Sequence, residues 1–276
     1  MAYSGPVRLG RFPNAVPDGV VHACSECGLR RLAGDPIDYE SEQYRKLVDG
    51  DSSAAAYYRA HDHVLTERLS AIGIANLRDR FVVDVGAGAG SFLDAIKGIA
   101  SRTVGVEPAR HFRTVLEQRG HGAFAYARDA LPELEGKADV VTTFAVIEHV
   151  DDAASFVADI AALAKPGGLV VIETPNARDW LIEFLPAYAA FFYRVVHRWY
   201  FDVDSLSRVM RRHGLEPERT EYRHRYDLSN ALCWLRDRQP TGNGRFPGLA
   251  AIDSAYRQEI EAIGRSDHFY IVGTKT

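Results

Sequence analysis

Cysteine is scarce here: three residues in a chain of 276. So small and odd a set argues against a disulfide framework in a chain of this size. Long apolar runs are missing too. No stretch of 18 or more apolar residues occurs, so no membrane-spanning helix is expected. The N-terminus, MAYSGPVRLGR, lacks the apolar centre of a secretory signal, and the expected location is the cytoplasm. A strong charge of either sign is also absent. The net charge of −4 gives no electrostatic case for nucleic acid or a membrane surface as partner. Internal repeats and low-complexity tracts are lacking. What remains is an ordinary globular composition, 46% apolar and 25% charged. That length suits one α/β domain with appendages, or at most two domains.

The chain is organised around residues 80–107, RFVVDVGAGAGSFLDAIKGIASRTVGVE. Phe81, Val82, Val83 and Val85 form a short β-branched run, which predicts a strand buried on both faces of a parallel sheet. Gly86, Gly88 and Gly90 follow, and Phe92, Ile96 and Ile99 then recur at helical spacing. Gly105-Val106-Glu107 ends a second strand with a carboxylate at its tip. Glycines permit a sharp turn and close approach of a ligand. An acid at the second strand's end can accept two ribose hydroxyl protons. A dinucleotide fingerprint needs G-x-G-x-x-G, and its last glycine would fall on Ser91. The pattern from Asp84 is instead D-x-G-x-G-x-G.

Further strand ends follow in order. Ala123–Ala127 predicts a strand, with Arg128-Asp129-Ala130 after it; an aspartate there suits a donor such as an exocyclic amine, or else caps a helix. Residues 138–144 predict a fourth strand, running into Phe144-Ala-Val-Ile-Glu148-His149-Val150. A helix over 152–163, a Lys165-Pro-Gly-Gly168 turn and an apolar strand 169–173 come next. Helices are expected over 109–119, from about Asp202, and around 251–263, with a break at Gly242-Asn-Gly244. His268–Lys275 is expected to be the last, antiparallel strand.

Taken together over residues 80–176, these motifs resemble those of the class I S-adenosylmethionine (SAM) methyltransferases, in particular bacterial sugar, natural-product and quinone O-methyltransferases. The resemblance implies a Rossmann-like, seven-stranded, mostly parallel sheet with helices on both faces. It implies SAM as cofactor, held by Asp84, Gly86, Gly88 and Gly90 in the first turn and by Glu107 with Pro108 at the ribose. Asp129 with Ala130 would lie at the adenine, and Phe144 under the transferred methyl. A helix before the first strand would cap the methionine end, which points to Tyr58; core packing of Tyr57 and Tyr58 is an equal alternative. The expected division is an irregular N-terminal segment over 1–50 and a methyltransferase domain over 51–276.

Two features lie outside that frame. Residues 177–201 carry nine aromatics where a lid over the strand ends would lie. Such a lid could cover a substrate, form a homodimer contact, or pack on itself. Within it His197-Arg-Trp-Tyr-Phe201 resembles an H-x-x-Y-F element of the sugar- and quinone-modifying branch. If a hydroxyl is methylated, a base must take its proton, and His149 and His197 are the candidates. The other feature is Cys24-Ser-Glu-Cys27-Gly28. This spacing lets two thiolates face one zinc, but zinc needs four ligands and no second C-x-x-C exists, so no metal is expected. No D/N-P-P-Y sequence follows strand four, which disfavours DNA and protein-glutamine acceptors. The expected acceptor is a small molecule: a sugar hydroxyl first, a phenol or quinone-like ring second. A SAM-fold protein that binds without catalysis is the remaining alternative. Arg208, Arg211, Arg212, Arg219, Arg223 and Arg225 would suit a phosphate-bearing substrate, though a solvated helix face explains them more cheaply.

Overall fold

The computed structural model describes residues 2–10, 13–34, 53–240, 246 and 248–276. Its eleven strands are β1 (Tyr3–Arg8), β2 (Ala15–Ala23), β3 (Arg30–Leu32), β4 (Phe81–Val85), β5 (Arg102–Val106), β6 (Gly122–Phe124), β7 (Ala138–Phe144), β8 (Ala164–Pro175), β9 (Trp199–Tyr200), β10 (Leu215–Arg223) and β11 (His268–Lys275). The chain divides into two compact units. One, the parallel unit, comprises Pro36–Glu173, Ser207–Arg219 and Ile271–Thr276; the other, the antiparallel unit, comprises Met1–Asp35, Thr174–Leu206 and Thr220–Tyr270.

The parallel unit is built on a mixed, mostly parallel seven-stranded sheet of order β10-β11-β8-β7-β4-β5-β6. Its centre is dictated by the β-branched runs. Val82 and Val83 of β4 are fully buried, and Val83 pairs in parallel with Val104 of β5 on one side and Val141 of β7 on the other. A strand so enclosed shows no alternation of polar and apolar residues. Helices follow the strands: Ser91–Ile96 after β4, Arg110–Gln118 after β5, Ala127–Leu134 after β6 and Ala153–Leu163 after β7. The last starts where Asp152 Oδ1 accepts the backbone N–H groups of Ala154 (2.9 Å) and Ser155 (3.1 Å), which satisfies donors that a helix start leaves open.

The antiparallel unit corrects the expectation of an irregular N-terminal segment over its first 32 residues. β1 pairs antiparallel with β2 (Tyr3↔Val21, Arg8↔Ala15), β2 with β3 (His22↔Arg31), and β3 with β9 (Arg30↔Tyr200). This four-stranded sheet buries only Val7, Val21 and Leu32 among its first three strands' apolar side chains, and needs cover. The cover comes from residues 177–201 and from Trp234 on the helix Leu228–Asp237. Tyr188, Phe192, Tyr193, Tyr200 and Trp234 interlock at 4.9–6.4 Å between ring centroids. The aromatic segment anticipated as a substrate lid is thus mostly core: of its rings, Phe184 is 66% exposed while Tyr188, Tyr193 and Tyr200 are at most 3% exposed.

Other departures are local. β6 stops at Phe124 and a helix begins at Ala127, so the strand expected over 123–127 is shortened. Arg219 and Arg223 lie on β10, not on a helix face, whereas Arg208, Arg211 and Arg212 belong to the helix Val203–Arg212. The helix Leu228–Asp237 lies between the helices expected from Asp202 and around 251–263, where no element was expected. The break expected at Gly242–Gly244 lies outside the described residues, as do residues 35–52. No helix among the described residues is long and apolar enough to cross a membrane.

Candidate active site

In the parallel unit, the carboxyl ends of β4 and β5 converge on the glycine turn. Gly86, Gly88 and Gly90 have φ of +83°, +54° and +94°, where side chains with a Cβ are strained. Space is also closed. A Cβ on Gly86 would lie 2.2 Å from the Val146 side chain, and one on Gly88 would lie 2.2 Å from the Tyr57 ring.

Glu107, just past β5, is 4% exposed. Its Oε2 accepts the Gly88 N–H at 3.0 Å and its Oε1 the Ala109 N–H at 2.9 Å. The carboxylate therefore reaches across to the turn and fixes it. Each carboxylate oxygen has two lone pairs, a chemistry suited to accepting hydrogen bonds from two vicinal hydroxyls. Pro108 is half-buried beside it, and Arg113 donates to the carbonyl oxygens of both Glu107 (2.8 Å) and Pro108.

Asp84 lies within the sheet rather than at its edge. It accepts the Thr142 hydroxyl at 2.7 Å, tying β4 to β7, and is 3% exposed. Burial pushes its carboxyl up to about 6, against the pull of Thr142 and of Arg68.

Tyr58, on the helix Ala54–His61, donates to the Ala89 carbonyl (2.8 Å) and to Asp94 Oδ2 (2.5 Å). Tyr57 covers Gly88 and meets Phe112 edge-on at 5.3 Å. This helix thus closes over the turn. Asp94 also receives His121 Nε2 (3.0 Å) and Arg119 Nε (2.5 Å). Burial works against its charge, yet these bonds and that of Tyr58 hold its carboxyl below the usual range.

Asp129 is exposed in the first turn of the helix Ala127–Leu134, where an acid is stabilised by the helix dipole. Ala130 is fully buried in the same helix. Phe144, at the end of β7, packs edge-on to Phe92 at 5.0 Å, with the Arg68 guanidinium over its ring at 4.4 Å.

The two histidines fall in different units. His149 stands in the turn after β7, with Nε2 3.9 Å from Glu148 Oε1. His197 is 6% exposed in the antiparallel unit, with Nε2 3.4 Å from Arg194 Nη1. Cys24 is exposed and Cys27 half-buried in the β2–β3 turn, while Cys233 is buried in the helix Leu228–Asp237.

One pair went unnoticed in the sequence. Arg68 Nε donates to Glu173 Oε2 at 3.3 Å, and both residues are at most 6% exposed. It carries charge into the carboxyl end of β8, beside Phe144. A signal was present: Arg68 shares the buried face of its helix with Val64, Ala71 and Ile72, and an arginine at such spacing needs a partner.

The site fits SAM on its own geometry. A strand-tip carboxylate with acceptor capacity stands against a turn whose backbone is left bare by glycine. The fold is that of class I SAM methyltransferases. The Methyltransferase domain family model matches residues 57–220, and the chain belongs to that family. It is 32% identical over 104 residues to a ubiquinone biosynthesis O-methyltransferase of Bradyrhizobium sp. (strain ORS 278), a match covering 36% of this chain and 41% of that protein. To the corresponding protein of Thiobacillus denitrificans it is 31% identical over 159 residues, 52% of this chain and 68% of the relative. The chain thus spans only about two fifths of the first relative's length. A SAM-dependent methyltransferase structure from Archaeoglobus fulgidus superposes with a TM-score of 0.56 at 18% identity, covering 86% of this chain and all of that one. That likeness bears on the fold alone.

Proposed function

We propose that the chain transfers a methyl group from SAM to a hydroxyl of a small molecule, and that the acceptor is phenolic. The observation that carries the cofactor is Glu107, held by the N–H groups of Gly88 and Ala109. When bound, SAM supplies an electrophilic methyl on its sulfonium. Glu107 would accept the ribose hydroxyls. Tyr58, anchored to Ala89 and Asp94, would keep water from the glycine turn. The chain's further task is to align the acceptor and to remove its proton.

For that proton His149 is favoured over His197. The Nε2 of His197 faces the guanidinium of Arg194 at 3.4 Å, a cation that opposes uptake of a proton there. The neighbouring carboxylate of Glu148 would stabilise a protonated His149. The names of the curated relatives support a phenolic ring over the sugar hydroxyl first expected.

Turnover tests the proposal. Purified protein is offered labelled SAM with a panel of catechols and hydroquinones and, separately, with a panel of sugars. Label is expected in the phenols. Label in sugars alone would reinstate the sugar reading, and SAM binding with no transfer to either would favour a binding protein. On the substrate found, His149→Ala should lower kcat by about 10²–10⁴-fold with SAM affinity kept; a kcat near normal removes His149 as the base.

A further inference from the structure

We infer that the antiparallel unit binds an oxyanion, a carboxylate or a phosphate, at the guanidinium of Arg8. This binding does not depend on the proposed methyl transfer.

Arg8 is the last residue of β1, and its backbone is locked. Its N–H donates to the Tyr193 carbonyl (2.8 Å) and its carbonyl accepts the Val195 N–H (2.9 Å). The side chain cannot swing away with a fraying strand end. Its guanidinium lies on the Phe191 ring, 4.1 Å from the centroid, which covers one face of the ion and leaves its edge for hydrogen bonds.

That edge is unserved. Nε is enclosed and has no acceptor among the described residues. No carboxylate among them pairs with the group either. The charged neighbour that acts on it is instead Arg194, a second cation, and the remaining influences come from the hydroxyls of Tyr226, Tyr188 and Tyr200. Burial, and then Arg194, draw the guanidinium down to about 10, so it stays charged at neutral pH although its surroundings oppose the charge. Arg8 is half-buried, and drawing a cation even partly out of water without a counter-ion is unfavourable. A fold gains nothing from that arrangement, whereas a binding site does. The planar fork of an arginine matches two oxygens of a carboxylate or phosphate at once.

Access is available. Arg8 is only half-buried and Tyr226 is 38% exposed, so the cluster reaches the surface. The Tyr188 hydroxyl is already committed to Asp179 Oδ2 at 3.2 Å. The aromatic walls, Phe191, Tyr188 and Tyr226, suit an anion borne on a flat or apolar body.

The test is thermal unfolding of the full chain at constant ionic strength. Sodium phosphate is titrated in one series and sodium benzoate in another, against wild type, Arg8→Gln and Arg8→Lys. Wild type should gain Tm saturably with at least one probe, and which probe does so tells phosphate from carboxylate. Arg8→Gln should not respond, and should melt no lower than wild type without probe, since an unpaired charge is gone. Arg8→Lys keeps the charge but not the fork, and its response should fall about tenfold. If Arg8→Gln fails to fold, the lysine variant decides. No shift in wild type with either probe overturns the inference, as does a shift that Arg8→Gln or Arg8→Lys retains in full. Calorimetry with SAM on the same sample separates the two readings. SAM binding without an anion response sinks this inference alone, and absent SAM binding sinks the methyl-transfer reading.

Discussion

The two units solve the problem of burying a sheet in opposite ways. In the parallel unit the central strands carry their own solution: β4 is apolar on both faces, and each crossover helix lies next to its strand in the chain. In the antiparallel unit each of the first three strands buries a single side chain, and their cover arrives from residues 177–201 and 234. The first design is local, and it frees its strand ends for binding. The second depends on distant segments, and it leaves Asp179 inside and Arg8 half-buried.

If the units are as separate as their cores suggest, damage to one should spare the other. The largest expected effect is on Trp234, 1% exposed and in edge contact with Tyr188 and Phe191 at 5.0 Å. Trp234→Ala should cost about 3–5 kcal/mol in denaturant unfolding, with SAM affinity by calorimetry unchanged. Equal loss of both would break the comparison.

Buried acids give a contrast in pH. Asp84 in the parallel unit is pushed up to about 6, and Asp179 in the antiparallel unit up to about 7, burial being the main cause in each. An acid raised on folding contributes no penalty below its unfolded value of 3.8. The penalty then grows as pH rises and is complete above the folded value. Stability should therefore fall between about pH 4 and 6 through Asp84, and between about pH 4 and 7 through Asp179. At about 1.4 kcal/mol per pH unit, the Asp179 contribution is on the order of 4 kcal/mol. Asp179→Asn should flatten the slope up to pH 7, and Asp84→Asn only up to pH 6. Unfolding curves from pH 4 to 8 that keep the wild-type slope in both variants would refute these assignments.

Glu107→Ala sharpens the comparison from the other side. Each charged hydrogen bond lost to a ribose hydroxyl is worth about 1.5–3 kcal/mol, so SAM affinity should drop by roughly 10–150-fold. Unchanged affinity would remove Glu107 from the cofactor site. The smallest effect is expected at Cys24, exposed in its turn. Cys24→Ser should alter stability by less than about 0.5 kcal/mol, and elemental analysis should find no stoichiometric zinc; one zinc per chain, lost in the variant, would contradict this.

The same contrast explains what could be read from residues alone. The glycine turn, Glu107 and β7 each announce themselves within a few positions, because a strand, a turn and a helix start are local events. β6 was overextended because Ala127, Ala130 and Leu134 already follow helical spacing, which a β-rich window hides. β1–β3 escaped notice since Val7, Val21 and Leu32 are their few buried apolar residues, too thin a set to show alternation. Arg68 and Glu173 are separated by 105 positions, and no periodicity joins them. The aromatic segment was visible, but whether its rings faced a ligand or one another depended on the small sheet that they cover.

The register between β3 and β9, with Arg30 opposite Tyr200, also orders events during synthesis. A chain emerging from the ribosome has β1, β2 and β3 long before the strand that completes their sheet, and longer still before Trp234. During that interval Val7, Val21 and Leu32 face water on a three-stranded ribbon with an open edge, a state prone to pairing with another nascent chain. The parallel unit's central strands suffer no such wait, since each is followed at once by its helix. Among the described strands, β1–β3 are made before the others and sheltered after the parallel unit's central ones.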